Sequence, residues 1–193
     1  MTSDKPQIIL ASASPRREHL LREMGLHFIV VQPDGVEELL GGAAPDVLAM
    51  QNAQRKARAV AGRHPQSMVI GADTIVVLGG KPFGKPRDRE EAQAMLGELA
   101  GRQHEVTTGV CLLHRPLDVE LTFAETTRVW MRPLTTSQIA DYLGKINPLD
   151  KAGAYAIQEH GEGIVERIEG SYHNVMGLPT ERLQATLERL GLR

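Results

Sequence analysis

Two long β-rich runs in the chain, His104–Leu113 and Val119–Met131, are separated by little more than Arg115-Pro116. So short a connection cannot return a parallel strand to the start of its neighbour, which takes a crossover of about a dozen residues or more. The runs therefore predict an antiparallel pair, and the other elements must be built around it. Gln7–Ala11 and His27–Val31 read as short strands on either side of a helix capped by Ser14, entered at Pro15 and ended by Gly25. Pro45 opens a long helix to Arg63 with Leu48, Ala53, Ala57 and Val60 on one face. Met68–Leu78 is β-rich and turns at Gly79-Gly80 into Lys81-Pro-Phe. Asp88 with Glu91 and Thr135 with Gln138 resemble capping boxes, for helices ending at Gly101 and Gly144. Pro148–Gly170 reads as loop and short strand, and a last helix aligns Leu183, Leu187 and Leu190. The expected class is α/β, with a mixed sheet flanked by helices.

A chain of 193 residues fits one domain, 1–193, or one core divided into two lobes. The net charge of -2 gives no global basic field for nucleic acid or anionic lipid, so a polyanionic ligand must be held by a local cluster of Lys and Arg. Stable nucleic-acid binding is not expected. The single cysteine, Cys111, excludes an internal disulfide and favours a reducing compartment. The start, Met1-Thr-Ser-Asp-Lys-Pro, lacks the apolar stretch of a signal peptide, and no run approaches membrane-spanning length. The expectation is a cytoplasmic protein without a membrane partner.

Three features can carry chemistry. At Leu10–Arg17 a strand runs into a helix whose first turn holds Arg16 and Arg17. The amide groups and positive dipole end of a helix start suit phosphate, and guanidinium forks grip its oxygens in two-point contacts. Two arginines there oppose the dipole, which disfavours a purely stabilising role; a capped surface helix with incidental arginines remains the plainer alternative. The second feature is Asp73, alone between the apolar stretches Val69-Ile-Gly-Ala and Ile75-Val-Val. A buried carboxylate is costly unless it ligates a metal, acts as a base or sits in an ion pair, although an Asp-Thr turn at a strand end would also explain it. The third is a set of cations, Lys56, Lys85 and Lys151, with Lys85 presented by the Gly84-Lys-Pro loop. Solvated surface is the more frequent role of such a lysine. Glu37-Glu38 can complete a divalent-metal site with Asp73, or be a solvated loop pair. No His or Cys pair has zinc spacing, neither a Walker motif nor G-x-G-x-x-G occurs, and Cys111 reads as inert core.

Taken together, the segments resemble the Maf family of nucleotide pyrophosphatases along nearly the whole chain. They are Leu10-Ala-Ser-Ala-Ser-Pro-Arg-Arg17, Lys56-Ala57, Gly71-Ala-Asp-Thr-Ile-Val76, Gly84-Lys-Pro86, His104-Glu-Val-Thr-Thr-Gly-Val110, Asp150-Lys-Ala-Gly-Ala-Tyr155 and Ile168-Glu-Gly-Ser-Tyr-His-Asn-Val-Met-Gly-Leu-Pro179. The resemblance implies an elongated α/β fold like that of the inosine triphosphatases, two lobes around a central cleft, and often a homodimer. It implies cleavage between the α- and β-phosphates with a divalent cation, Mg²⁺ or Mn²⁺. Asp73 matches the family's proposed general base, and Arg17, Thr74 and Gln158 match positions linked to substrate choice. Ser12, Arg16, Lys56 and Lys85 match the polar lining of its cleft. The family's loop glutamate, a metal ligand with Asp73, falls on Glu37 when counted back from Lys56 and on Glu38 when counted on from Phe28; Glu37 is favoured.

Gly-Ala-Asp-Thr and Asp-Lys-Ala-Gly-Ala-Tyr-x-Ile-Gln resemble the branch of the family acting on dTTP and UTP, rather than the branch acting on 7-methyl-GTP. A glutamine amide can donate to a pyrimidine carbonyl and accept from the ring N–H, which suits Gln158. The chain departs from the family in reading Gln158-Glu-His-Gly161, which adds a charge and an imidazole beside the expected base pocket. Two rival readings differ in product. A nucleotide-sensing regulator of cell division, suggested by the family's first association with septum formation, would bind without releasing pyrophosphate. An aspartyl-phosphate phosphatase would release orthophosphate, but Asp73-Thr-Ile lacks the second Asp that such enzymes place two residues on.

Overall fold

The computed structural model describes residues 6–39 and 41–192, so the reading of the Met1–Lys5 start lies outside the described residues. The antiparallel pair is present as β5 (Gln103–His114) and β6 (Val119–Met131), in register from Gln103 opposite Trp130 to His114 opposite Val119. Around it run β1 (Ile8–Ala11), α1 (Pro15–Glu23), β2 (Phe28–Val31), α2 (Pro45–Ala61), β3 (Met68–Leu78), β4 (Lys81–Phe83) and α3 (Arg89–Leu99). After β6 come α4 (Thr136–Lys145), β7 (Val165–Glu169), α5 (Tyr172–Met176) and α6 (Thr180–Arg189). The strands form one seven-stranded mixed sheet in the order β2-β1-β3-β5-β6-β7, with β4 paired to β3 alone. β1 is parallel to β2 and β3, whereas β3, β5, β6 and β7 are successively antiparallel.

The period of two along the central strands divides the core between the two faces of the sheet. Ile8 and Leu10 of β1, with Met68, Ile70, Ala72 and Val76 of β3, join a large cluster with α1, α3, α4 and α6. Ile9, Ala11 and Val69 pack on the other face beneath Ala53, Ala57 and Val60 of α2, and Ile75 and Val77 pack with Leu48 and Ala49. Helix α2 lies unusually close. A Cβ at Gly71 would overlap the carbonyl oxygen of Ala53, and one at Gly109 would overlap the backbone of Ala49 and Met50. Glycines below and alanines above therefore set the height of α2 over the sheet.

Several local expectations shift. Ser14 holds the N-cap position of α1 but its side chain caps nothing; its own N–H instead donates to Ser12 Oγ at 3.1 Å. Only half of the Asp88 capping box forms, because the Glu91 carboxylate turns to the N–H of Arg87. The Thr135–Gln138 box is complete. Helix α2 stops at Ala61, and Gly144 lies inside α4, one residue before its end. The short α5, within Ile168–Pro179, was legible only as part of a motif. Among the described residues no helix is long and apolar enough to cross a membrane.

Candidate active site

The sheet has an opening in its middle. β1 pairs with β3 only as far as Ala11 opposite Gly71, and β4 joins the same edge only from Phe83 opposite Val76. Between these pairings, residues 72–75 have β5 on one side and no described strand on the other. Side chains from both faces of the sheet therefore reach one cleft of about 620 Å³, walled by the β1–α1 turn, Gln32–Asp34, Val36 and Glu38, the Gly84-Lys85 loop, parts of residues 149–158 and the end of α5. Ligand sites at the carboxyl ends of parallel strands, where a sheet's connectivity reverses, follow the same geometric logic.

From the α2 face comes Asp73, 4% exposed. Its Oδ1 accepts from Lys56 Nζ at 2.6 Å and its Oδ2 from Asn52 Nδ2 at 2.9 Å. Lys56 and Asn52 are four residues apart on α2 and so share a helical face. Lys56, itself buried, also donates to Glu38 Oε1 at 2.6 Å, and Lys85 reaches the same oxygen at 3.4 Å. Burial pushes the Glu38 carboxyl up, but the two ammonium groups outweigh it and hold its pKa at about 2. Asn52 fastens the loop that carries Glu38: Leu39 N–H donates to its Oδ1 at 2.8 Å, and its Nδ2 donates back to Leu39 O at 2.9 Å. Of the two adjacent glutamates, Glu38 lines the cleft and Glu37 does not. An irregular loop of this kind has no fixed period, so counting residues from its two ends gave different answers.

From the opposite face comes Thr74, and with it Arg17. The Arg17 guanidinium donates from Nε to Gly177 O at 2.8 Å, from one Nη to Thr74 Oγ1 at 2.9 Å and from the other to Ser12 Oγ at 3.4 Å. The single Thr108 hydroxyl proton goes to Asn174 O at 3.1 Å, so the 2.9 Å contact between Thr74 and Thr108 has Thr74 as donor. Thr74 thus accepts from Arg17 and holds it in place. Burial pulls the Arg17 pKa down against the raising effect of Asp73 and Glu38, although a guanidinium stays charged throughout the physiological range. Arg16 takes the other direction and binds Asp150 through its carboxylate at 2.8 Å and its backbone oxygen at 3.0 Å. Lys151, 3% exposed, donates to Asp150 Oδ1 at 2.9 Å and Asn147 O at 2.8 Å, and lies 3.3 Å from Glu159.

Ser12, Arg16, Arg17, Lys56, Asp73, Thr74, Lys85 and Gln158 are all brought to one cleft. Asp150, which lines the cleft, and Asn52, buried behind Asp73, are not singled out by the sequence reading. The signal for Asn52 was present, as a polar residue in the apolar stripe Leu48, Ala53, Ala57, Val60; Asp150 had none beyond its motif. The cleft presents five cations, Arg16, Arg17, Lys56, Lys85 and Lys151, nearly balanced by Asp34, Glu38, Asp73 and Asp150. Among the described residues no cluster of three or more His, Cys, Asp or Glu could hold a metal unaided. Asp73 and Glu38, bridged by one ammonium, do fit a hard divalent cation, which commonly takes one or two carboxylates and completes its shell with phosphates and water.

A family model described as "Maf-like protein" matches residues 7–190. The chain is 47% identical over 185 residues to a dTTP/UTP pyrophosphatase of Symbiobacterium thermophilum, covering 96% of this chain and 94% of that one. It is 47% identical over 192 residues to a dTTP/UTP pyrophosphatase of Myxococcus xanthus, covering 100% and 96%. The structure of the Staphylococcus aureus Ham1 protein superposes with a TM-score of 0.56 at 19% identity, over 95% of this chain and 99% of that one, and so shares the fold.

Proposed function

The chain belongs to the Maf-like family, and from that membership and the cleft we infer that it is a dTTP/UTP pyrophosphatase, hydrolysing dTTP and UTP to the monophosphate and pyrophosphate. Full-length similarity to relatives of that name supports the activity. The observation that carries the site is the buried Asp73 carboxylate at the opening of the sheet, with arginines and lysines converging on the same cleft.

In the proposed reaction Asp73 orients a water for in-line attack on the α-phosphorus and takes its proton. Its two oxygens each accept one hydrogen bond, from Lys56 and Asn52, which leaves further lone pairs for the water. The new P–O bond forms as the bond from the α-phosphorus to the bridging oxygen breaks, and pyrophosphate leaves. Arg16, Arg17, Lys56 and Lys85 offset the charge accumulating on the leaving group. Asp73 and Glu38 would hold the cation, Mg²⁺ or Mn²⁺, whose chemistry is neutralisation of the phosphate oxygens and polarisation of the attacked centre. Gln158 reads the pyrimidine edge. A cytoplasmic setting in nucleotide-pool maintenance and a homodimer belong to the same proposal. The accessible Ile29 and Val30 of edge strand β2 support the dimer, which sedimentation checks.

The test is a panel of triphosphates assayed separately for pyrophosphate and orthophosphate. Pyrophosphate from dTTP and UTP is the expected product; orthophosphate, or binding without turnover, would overturn the reading. Asp73→Asn is expected to lower kcat by about 10²–10⁴-fold while nucleotide still binds, and near-normal turnover would remove Asp73 from its role.

A further inference from the structure

A glutamine cannot by itself tell uracil from cytosine. Uracil offers N3–H as a donor beside a carbonyl acceptor, whereas cytosine offers N3 as an acceptor beside an amino donor. A 180° turn of the glutamine amide exchanges its C=O and NH₂ and satisfies either edge. Discrimination therefore needs something that fixes the amide.

The neighbouring residue supplies it. Gln158 Nε2 donates to Glu159 Oε1 at 3.4 Å, and Lys151 Nζ holds that same carboxylate oxygen at 3.3 Å. Lys151 is itself anchored to Asp150 and Asn147 O, and is almost wholly enclosed. Gln158 Oε1 is enclosed too and has no hydrogen-bond partner. With the amide turned over, Oε1 would face a carboxylate, acceptor against acceptor, and the bond to Glu159 would be lost. Gln158 and Lys151 line the cleft, while Glu159 stands behind them.

We propose that Glu159, held by Lys151, is a positioning residue that locks the Gln158 amide with its oxygen as the acceptor, and so makes the site accept uracil and thymine and reject cytosine. The buried, unpartnered Oε1 is then the atom that receives N3–H, and the second hydrogen of Nε2 serves a base carbonyl. This rests on the pyrimidine-triphosphate reading above.

The experiment compares UTP with CTP in the wild-type chain, Glu159→Gln and Glu159→Ala. It reads kcat/KM for pyrophosphate release and, separately, Kd for the α,β-imido analogues of both nucleotides. Either substitution frees the amide to turn, so the UTP-to-CTP ratio is expected to fall by about tenfold or more in both readouts, mainly through gains on CTP. Lys151→Met, which releases Glu159 from the other side, is expected to lower the ratio in the same direction. A ratio that stays within about twofold of wild type in folded Glu159→Gln and Glu159→Ala overturns the proposal, since a merely structural role would slow both nucleotides alike. If the wild type binds the analogues yet releases no pyrophosphate, the enzymatic reading fails, while the affinity ratio still decides the role of Glu159.

Discussion

Replacing Asn52 with alanine removes three hydrogen bonds from a side chain that has no accessible surface. The two to the backbone of Leu39 are neutral and worth about 1 kcal/mol each, and the one donated to the Asp73 carboxylate is worth about 2 kcal/mol. Alanine returns about 0.7 kcal/mol at most through its better helix propensity. The net cost is therefore about 3 kcal/mol, a large share of the roughly 5–15 kcal/mol that holds a domain together. Urea unfolding followed by far-ultraviolet circular dichroism, and by fluorescence of the sole tryptophan, Trp130, measures it. The midpoint is expected to fall by about 1 M for a denaturant slope near 3 kcal/mol/M. Pyrophosphate release at a urea-free temperature well below the transition should fall as well, since Asp73 loses one orienting donor and the Glu38 loop loses its fastening. A midpoint within about 0.3 M of wild type together with unchanged turnover would refute the assignment of Asn52 as the link between α2, the loop and Asp73.

The choice between the adjacent glutamates is directly testable: Glu38→Gln is expected to lower turnover by about tenfold or more and to weaken the metal dependence, whereas Glu37→Gln leaves both near wild type in the same pyrophosphate assay. Gly109→Ala forces a Cβ into the Ala49 backbone; it should cost about 1–3 kcal/mol in thermal or urea unfolding and slow turnover by lifting Lys56 away from Asp73. His104, buried with its Nε2 2.7 Å from the Tyr155 hydroxyl, has its pKa pushed down by burial to about 4. The unfolded chain takes up this proton first, so the stabilisation is complete above about pH 6.5 and declines by roughly 3 kcal/mol as pH falls to about 4. His104→Gln should flatten that acid slope in urea midpoints measured across the window.

Much of the fold could be read from periodicity because its central strands are long and their faces buried. The β5–β6 pair, the Gly79-Gly80 turn and the apolar stripe of α2 each follow from local pattern. The helix starts were legible in type but not in detail. Ser14 is the residue expected of a cap, yet its side chain caps nothing and its own N–H donates to Ser12 Oγ. The reactive residues were named largely through the family motifs, since Asp73, Lys56 and Arg17 are each ordinary in isolation. Sequence does not record which carboxylate meets which cation across the cleft. Lys56 finds Glu38 over a loop of irregular backbone, and Arg16 finds Asp150 from the far end of the chain. Glu159 looked like an intrusion into a base pocket; in place it stands behind Gln158, on the arm of Lys151.

Among the described residues, no strand pairs with the Ala72–Ile75 stretch of β3 on one side, so alternate backbone groups there have no ladder partner on that side. A nucleotide seated there acts as a brace spanning a missing rung. It adds a tie between the β1–α1 corner and the β4 hairpin, which are also linked through Arg16–Asp150 and the Gly153 N–H to Gly84 O bond. Occupancy should therefore be felt as stiffness: amide hydrogens of residues 72–75 and of both flanking corners are expected to exchange more slowly with nucleotide bound, while the β5–β6 ladder, already paired along its length, changes little.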